Sequence, residues 1–241
     1  MPFRIVPRRD RKLNRLAKAG EVLEIRRGTV LYAPGDHVRD VYLVREGHVR
    51  LWQQPSADDQ RPRTVEVAGP REVFGVEAVF AGPGVRRRYG ASAGEATKLV
   101  VLPGDGVARA FRTGERTFTY AFRAAHEDLA MARWFGAGRG GPTTAERFAD
   151  VLLDLAQRFG IEEGTGLRIQ SRFTHQELAD LAGAHRSTIT TLVNDWIYRR
   201  ILKDGPEGLL VRPHWLEKRA SGYGRKGEPA TVQGAKTPRH R

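Results

Sequence analysis

Between positions 174 and 194 the chain carries a run of side chains whose chemistry is hydrogen bonding: Thr174, Gln176, His185, Arg186, Ser187, Thr188, Thr190, Thr191 and Asn194. Nothing in the run resembles a nucleophile with its base. A guanidinium can instead grip guanine O6 and N7 with two parallel bonds, and hydroxyls and amides serve base edges or phosphates equally well. Helical spacing divides the roles. Arg186, Ser187, Thr190 and Thr191 fall on one exposed face near the start of a helix, the part that reaches base edges in a major groove. Thr174, Gln176, His185 and Thr188 fall where phosphate oxygens of the same duplex would lie. The partner expected from this pattern is double-stranded DNA.

The elements that would hold these residues are legible. Thr174-His175-Gln176-Glu177 is a capping box, in which the Thr hydroxyl and the Glu carboxylate satisfy each other's unpaired backbone N–H groups. Leu178, Ala179, Leu181 and Ala182 give a short helix an apolar face, and Gly183 permits a sharp turn without a side chain in the way. The second helix opens at His185 or Arg186 and buries Ile189, Leu192 and Val193. A helix pair with a glycine turn also describes an ordinary helical hairpin with solvated polar faces. The segment after the second helix favours DNA: Ile201-Leu202 and Leu209-Leu210-Val211 flank Lys203 to Gly208, a hairpin placed as a wing.

From Gly20 to Leu102 short apolar or alternating runs are punctuated by Gly and Pro turns, the pattern of a β-sandwich or barrel. The runs are Glu21–Ile25, Val30–Tyr32, Val41–Val44, Val49–Trp52, Thr64–Val67, Val73–Phe74, Tyr89–Ala93 and Lys98–Leu102. After Pro103 the period changes. Phe118, Phe122, Ala125, Leu129 and Ala132 form a narrow heptad-like stripe on one long helix, read as a dimer seam or as a face lying on its own domain's core. The glycine-rich stretch ending at Pro142 breaks that helix. Phe148, Val151, Leu152, Leu155 and Phe159 then mark an amphipathic helix ending at Gly160, whose start, Thr144 with Arg147, lacks a full capping box. The expected organisation is a basic arm (1–19), a β-roll (20–110), a long helix (111–137), a hinge (138–143), a winged helix-turn-helix (144–217) and a disordered basic tail (218–241), an α+β chain.

Composition excludes more than it selects. The formal charge of +13 over 241 residues suggests nucleic acid, but residues 1–18 and 216–241 carry most of the excess, and residues 145–215 have nine Arg/Lys against ten Asp/Glu. With no cysteine there is no disulfide, thiolate metal site or cysteine-bound cluster. No apolar stretch is long enough to span a bilayer and the N-terminus does not read as a secretory signal, so a cytoplasmic location is expected. His37, His48 and His126 lack metal-ligand spacing and read as surface residues. No metal or cofactor is expected. A metal-dependent enzyme of cupin type would need clustered His and carboxylate ligands, and residues 20–102 hold only His37 and His48. A ligand-binding interaction subunit is the remaining alternative.

The segment THQELADLAGAHRSTITTLV resembles the helix-turn-helix of the Crp/Fnr family of transcription regulators, and GTVLYAPGDHVRDVYLVREGHVRL resembles the first part of that family's cyclic-nucleotide-binding-like β-roll. The resemblance spans roughly residues 20–215. It implies a homodimer joined by the long helices, acting on a palindromic site and recruiting or blocking RNA polymerase. Arg186 matches the family's leading base reader. Ser187 stands where Glu is common, and Thr191 where Arg is common, so the half-site should differ from the familiar consensus. In VFGVEAVFAGPGVRRRYGASA the cyclic-nucleotide pattern keeps Gly75 and Arg86, but Val76 replaces its Glu (Glu77 is one place late) and Arg87 replaces its Ser, which argues against cyclic AMP. Phe74, Gly75, Val76, Arg87 and Tyr89 are closer to the family's cyanobacterial nitrogen-control branch, which senses 2-oxoglutarate. There Asp128 would face and repel a dicarboxylate. The effector is then absent or a small molecule other than cyclic AMP, with the arginines 86–88 either solvated or paired with Glu77 and Asp128.

Overall fold

The computed structural model describes residues 18, 20–54, 61–80, 84–112, 142–206 and 208–212. The stripe Phe118, Phe122, Ala125, Leu129 and Ala132, together with Asp128, His126, nearly all of the basic arm and the basic tail, lies outside the described residues.

Among the described residues eight strands build the first half: β1 (Glu21–Ile25), β2 (Val30–Tyr32), β3 (Asp40–Glu46), β4 (Val49–Gln53), β5 (Arg63–Ala68), β6 (Val73–Phe74), β7 (Gly90–Ala93) and β8 (Thr97–Pro103). They pair antiparallel into two four-stranded sheets, ordered β1-β8-β3-β6 and β2-β7-β4-β5. Alternation along β3 explains why neither face of this strand's central part is left to water. Tyr42 and Val44 point between the sheets, where they meet Leu51, Phe74 and Leu99. Val41 and Leu43 point the other way and pack with Val100, Leu102 and Val107. Val107 belongs to α2 (Gly104–Arg112), and the short α1 (Glu77–Phe80) closes the same side. Tyr42 stacks on Phe74 with ring centroids 5.0 Å apart.

The second half is α3 (Thr144–Phe159), the hairpin β9 (Gly160–Glu163) and β10 (Gly166–Ile169), α4 (His175–Leu181), α5 (Arg186–Tyr198), and the wing strands β11 (Leu202–Lys203) and β12 (Leu209–Val211). Its sheet runs β11-β12-β10-β9, so the wing pairs with a hairpin to which the sequence reading assigned no element. That hairpin turns at Gly164, whose φ of +58° suits a residue without a side chain. Arg168 ties it down by bonding both Glu163 and the carbonyl of Gly208. The start of α3 also departs from expectation. The N-cap is Thr143, one residue earlier than read, and with Glu146 it forms a complete capping box, Thr143 N–H donating to Glu146 Oε2 at 2.6 Å. Phe148 and Trp196 stack at 5.2 Å in the centre of this half.

The two halves share buried surface. Val67 of β5 belongs to the same core cluster as Phe148, Phe159 and Leu178. Phe159, the last residue of α3, lies over Gly69: a Cβ added there would sit 2.4 Å from the Phe159 ring. Gly69→Ala should therefore force the halves apart at this point. The expected loss is about 1–3 kcal/mol, as for other overpacked cores, read as a lower urea midpoint with an unchanged slope.

Candidate nucleic-acid interface

Thr174 caps α4 as its sequence foretells. Its hydroxyl accepts from Glu177 N–H at 3.2 Å and donates to Glu177 Oε2 at 2.9 Å, while its own N–H donates to the same oxygen at 2.7 Å. Ala182 and Gly183 (φ +59°) then turn the chain, and Ala184 N–H closes back on Ala179 O at 2.9 Å. Ala179 is fully buried, its small side chain letting the helices cross closely. α5 begins at Arg186 with His185 as N-cap. Ile189, Leu192, Val193 and Trp196 face inward, and Arg186, Ser187, Thr188, Thr191 and Asn194 are exposed. The result is a polar helix face standing clear of the body it is mounted on.

Some hydroxyls on that face are already engaged. Thr190 is half-buried; its Oγ1 donates to Arg186 O at 3.0 Å, which leaves it to accept from His175 Nδ1, also at 3.0 Å. Thr191 Oγ1 donates to Ser187 O at 3.1 Å. These two offer a methyl group and a lone pair more readily than a proton. Thr174's proton is likewise committed to Glu177, and one amide proton of Gln176 is committed to Asp180 Oδ1 at 3.0 Å. Arg186 keeps the whole of its guanidinium on the exposed face, and at the first turn of α5 the helix dipole adds to its attraction for anions.

In the roll, the structure brings Gly75, Glu77 and Arg87 together and sends Arg86 elsewhere. Arg87 is buried, with Nη1 on Glu77 Oε1 at 2.6 Å and Nη2 on Asp40 O at 2.6 Å, and its guanidinium lies 4.1 Å over the Tyr32 ring. Burial pushes the Tyr32 phenol far above its ordinary range, although the Arg87 charge opposes the shift. Phe74 and Val76 turn their side chains into the cores. Gly75 has φ +75°, and a Cβ there would approach Arg87 Nη1 at 2.9 Å. Arg86 is exposed, pairs with His37 as an isolated bridge and donates to Gly35 O at 3.2 Å. Tyr89 is half-exposed. Among the described residues no three His, Asp or Glu side chains converge as a metal site, and no helix is long and apolar enough to cross a membrane.

The halves of the chain match two models: a cyclic nucleotide-binding domain over residues 22–113 and a Crp-like helix-turn-helix domain over residues 146–219. The chain belongs to the Crp/Fnr family of transcription regulators. Among relatives of this Crp/Fnr chain, a CRP-like cAMP-activated global transcriptional regulator of Mycobacterium tuberculosis is 27% identical over 206 residues, which are 85% of this chain and 90% of the relative. The global nitrogen regulator of Synechococcus elongatus is 25% identical over 175 residues, 73% of this chain and 78% of that one. The solved structure of FixK2 from Bradyrhizobium japonicum has the same fold, with a TM-score of 0.67 at 19% identity over 83% of this chain and 96% of that chain. The Crp/Fnr chain is thus a DNA-binding transcription regulator and not an enzyme.

The sequence reading of His48 as a surface residue is wrong. His48 is fully buried, with Nδ1 2.9 Å from Glu95 Oε1 and its ring 4.8 Å from that of Phe173. It is covered because the roll packs on the DNA-binding half, a contact no local pattern reveals. The same contact holds Asp180 and Glu72, also missed. Asp180 did leave a trace, as the lone charge within the apolar LADLA segment. Burial opposes ionisation of Asp180, but bonds from Arg61, Thr64 N–H and Gln176 outweigh it and hold its carboxyl below the ordinary 3.8. Glu95, opposed by burial but bonded by His48 and Ser171, is held below 4.5. A carboxylate with a lowered folded-state pKa stabilises the fold at pH values above its unfolded value, and that contribution is lost as the pH falls through the folded one. Stability should be flat in this respect above about pH 5 and fall below the ordinary carboxylate range. Asp180→Asn should make the acid limb of the melting-temperature profile shallower; an unchanged limb would remove Asp180 from the linkage.

Proposed function

We propose that this regulator acts as a homodimer on a palindromic DNA site, with Arg186 leading the base contacts. The observation that carries the reading is the exposed face of α5. Arg186, Ser187 and Thr191 stand there on a helix whose opposite side is anchored by Trp196 and Ile189. Arg186 is assigned to a guanine. Ser187 and Thr191 contribute short-range contacts, and Thr190 contributes its methyl, a good partner for thymine. Gln176, His185 and Thr188, together with the lone pairs and neighbouring backbone of Thr174, lie along the phosphate side. The organisation read from sequence, with a basic arm to 19, a roll to 110, a seam over 111–137, a hinge to 143, a reading domain to 217 and a basic tail, assigns Phe118, Phe122, Ala125, Leu129 and Ala132 to the dimer interface. RNA polymerase is the second macromolecular partner, and the cytoplasm is the compartment in which both partners are met.

The same proposal includes a roll that does not take cyclic AMP, its effector being absent or another small molecule. Support comes from Arg87. Arg86, which matches the arginine of the cyclic-nucleotide pattern, is exposed and donates to Gly35 O, and the inward-facing guanidinium, that of Arg87, is already held by Glu77 and the Asp40 carbonyl. Among the residues singled out from sequence, Phe74, Gly75, Val76, Glu77, Arg86, Arg87, Tyr89 and Asp128, no other cation but the exposed Arg86 is available to replace it. The Mycobacterium tuberculosis relative is described as cAMP-activated, so calorimetric titration of this chain with cyclic AMP is informative. No heat of binding is expected, and saturable binding at micromolar concentrations would overturn this part.

Selection of duplexes from a random-sequence library by the full-length protein tests the central reading. Two inverted half-sites about 34 Å apart are expected, one DNA turn. Arg186→Ala should then lose about 1–3 kcal/mol on the selected site and relax preference at one base position; equal losses on selected and random duplexes would reduce Arg186 to a phosphate contact. Leu129→Asp should shift the protein towards monomer in sedimentation, and a variant that stays dimeric would take the stripe out of the interface.

A further inference from the structure

The first helix of the reading motif is gripped by the roll. Asp180, near the end of α4, has a side chain 1% exposed. It accepts from Arg61 Nη2 at 2.7 Å and Arg61 Nη1 at 3.0 Å, a two-pronged contact, and from the backbone N–H of Thr64 at 2.9 Å. Gln176 Nε2 supplies a fourth bond. A carboxylate has about four acceptor sites, so this one is filled. One turn earlier, Arg50 of β4 approaches Glu177 Oε1 at 3.2 Å, while the other oxygen of Glu177 closes the cap of α4. The cap and the docking surface thus share a single carboxylate.

Only the carboxylate of this pair is buried, the Arg61 side chain staying 41% exposed. Taking a charge out of water is weak as a source of stability, because desolvation offsets much of the attraction, and the best-attested use of such a pair is to fix one geometry among several. Here the geometry fixed is that of α4 against the roll. Two further contacts resist rotation about this one. Arg158 of α3 bonds Glu72 beside β6, and Ser171 Oγ donates to Glu95 at 2.9 Å. α5 follows α4 rigidly through the tight turn that ends with Ala184 bonded to Ala179.

We propose that Arg61 and Asp180 are positioning residues for DNA recognition: the roll, through this clasp, sets where α5 stands relative to the dimer axis, and so sets the spacing at which two copies meet paired half-sites. The proposal rests on the homodimer reading above. It makes a roll residue, more than a hundred positions from α5 in sequence, a determinant of affinity for a full site. It assigns the clasp no part in contacting one half-site. A small rotation of α5 leaves each helix able to read its own half-site and prevents both from reading together. Loss of the clasp should therefore weaken only the paired interaction, because coupling between distant groups is typically worth a factor of 5–150, about 1–3 kcal/mol.

The experiment compares full-length wild type, Arg61→Ala, Asp180→Asn, the double variant and Arg61→Lys. Each is titrated with the duplex selected by the wild type and with a duplex of equal length in which one half-site is scrambled. Melting curves establish that each variant is folded at the assay temperature, and Arg61→Lys, which keeps the charge and loses only the fork, serves where a truncation does not fold. The expected result is about a tenfold or greater loss on the paired site for Arg61→Ala and for Asp180→Asn. On the single half-site the change should stay within about twofold, and the double variant should be no worse than the singles. Arg61→Lys should fall between wild type and Arg61→Ala. Variants that keep the wild-type ratio of paired to single-site affinity overturn the proposal, as does an equal loss on both duplexes, which would mark a general effect of charge or folding. A wild type that itself shows no preference for paired half-sites overturns the homodimer reading, and the proposal falls with it.

Discussion

A buried carboxylate must be surrounded by donors, and Asp180 finds its donors on both halves of the chain. Gln176 reaches it from within α4, and Arg61 and the Thr64 backbone reach it from the roll. Left unpaired, a charge with this little solvent access would cost several kcal/mol. The contact therefore forms in full or the interface does not form there at all. The neighbouring packing has the same property. Phe159 fits over Gly69 only because position 69 has no Cβ, and His48 fits against Phe173 only beside Gly94, where an added Cβ would lie 1.9 Å from its Nε2. Close fit and the fully bonded Asp180 carboxylate together give the reading helix a defined platform.

Arg87 is the counterpart of Asp180 within the roll. It too is a buried charge with directional partners, but all of those partners are internal: Glu77, the Asp40 carbonyl and the face of Tyr32. An arginine held in this way has both terminal nitrogens engaged without a ligand, and only its buried Nε lacks a hydrogen-bond partner. An anion entering would have to displace Glu77, whose side chain is 43% exposed and so is the partner that can move. The roll and the reading domain thus solve the same problem in two ways. One encloses its charge and the other uses it to join domains.

How much of this could be read beforehand depends on the range of each interaction. Strands, turns and the two helices around Gly183 are local, and the strand runs from Glu21–Ile25 to Thr97–Pro103 occur within a residue or two of their sequence patterns. The family resemblance carried the order of roll and reading domain. What stayed hidden is long-range. His48 reads as a surface residue because nothing near it in sequence shows that Phe159 and Phe173 will cover it. Arg61 and Asp180 lie 119 positions apart, and Arg61 falls in a stretch that looks like a solvated charged turn. The β9–β10 hairpin escaped notice for another reason. Glu162 and Glu163 are charged and exposed, so no alternation marks β9, and its pairing is completed by Arg168 and the wing.

The same pairing resolves a difficulty in the charge. Residues 145–215 carry one more acidic than basic side chain, an unpromising balance for a surface that must approach a polyanion. The structure shows where several of those acids go. Asp180 and Glu177 are buried against roll arginines, Glu146 is used in a cap, and Asp195 and Glu163 are paired to Arg199 and Arg168. All of them paired, and Asp180 and Glu177 turned inward as well, these groups add little to the potential in front of α5, whereas Arg186 stands in the open. A net charge counted along the chain treats every residue as equally visible to DNA. The fold does not, and the field that a phosphate backbone meets is set by which charges the roll has already claimed.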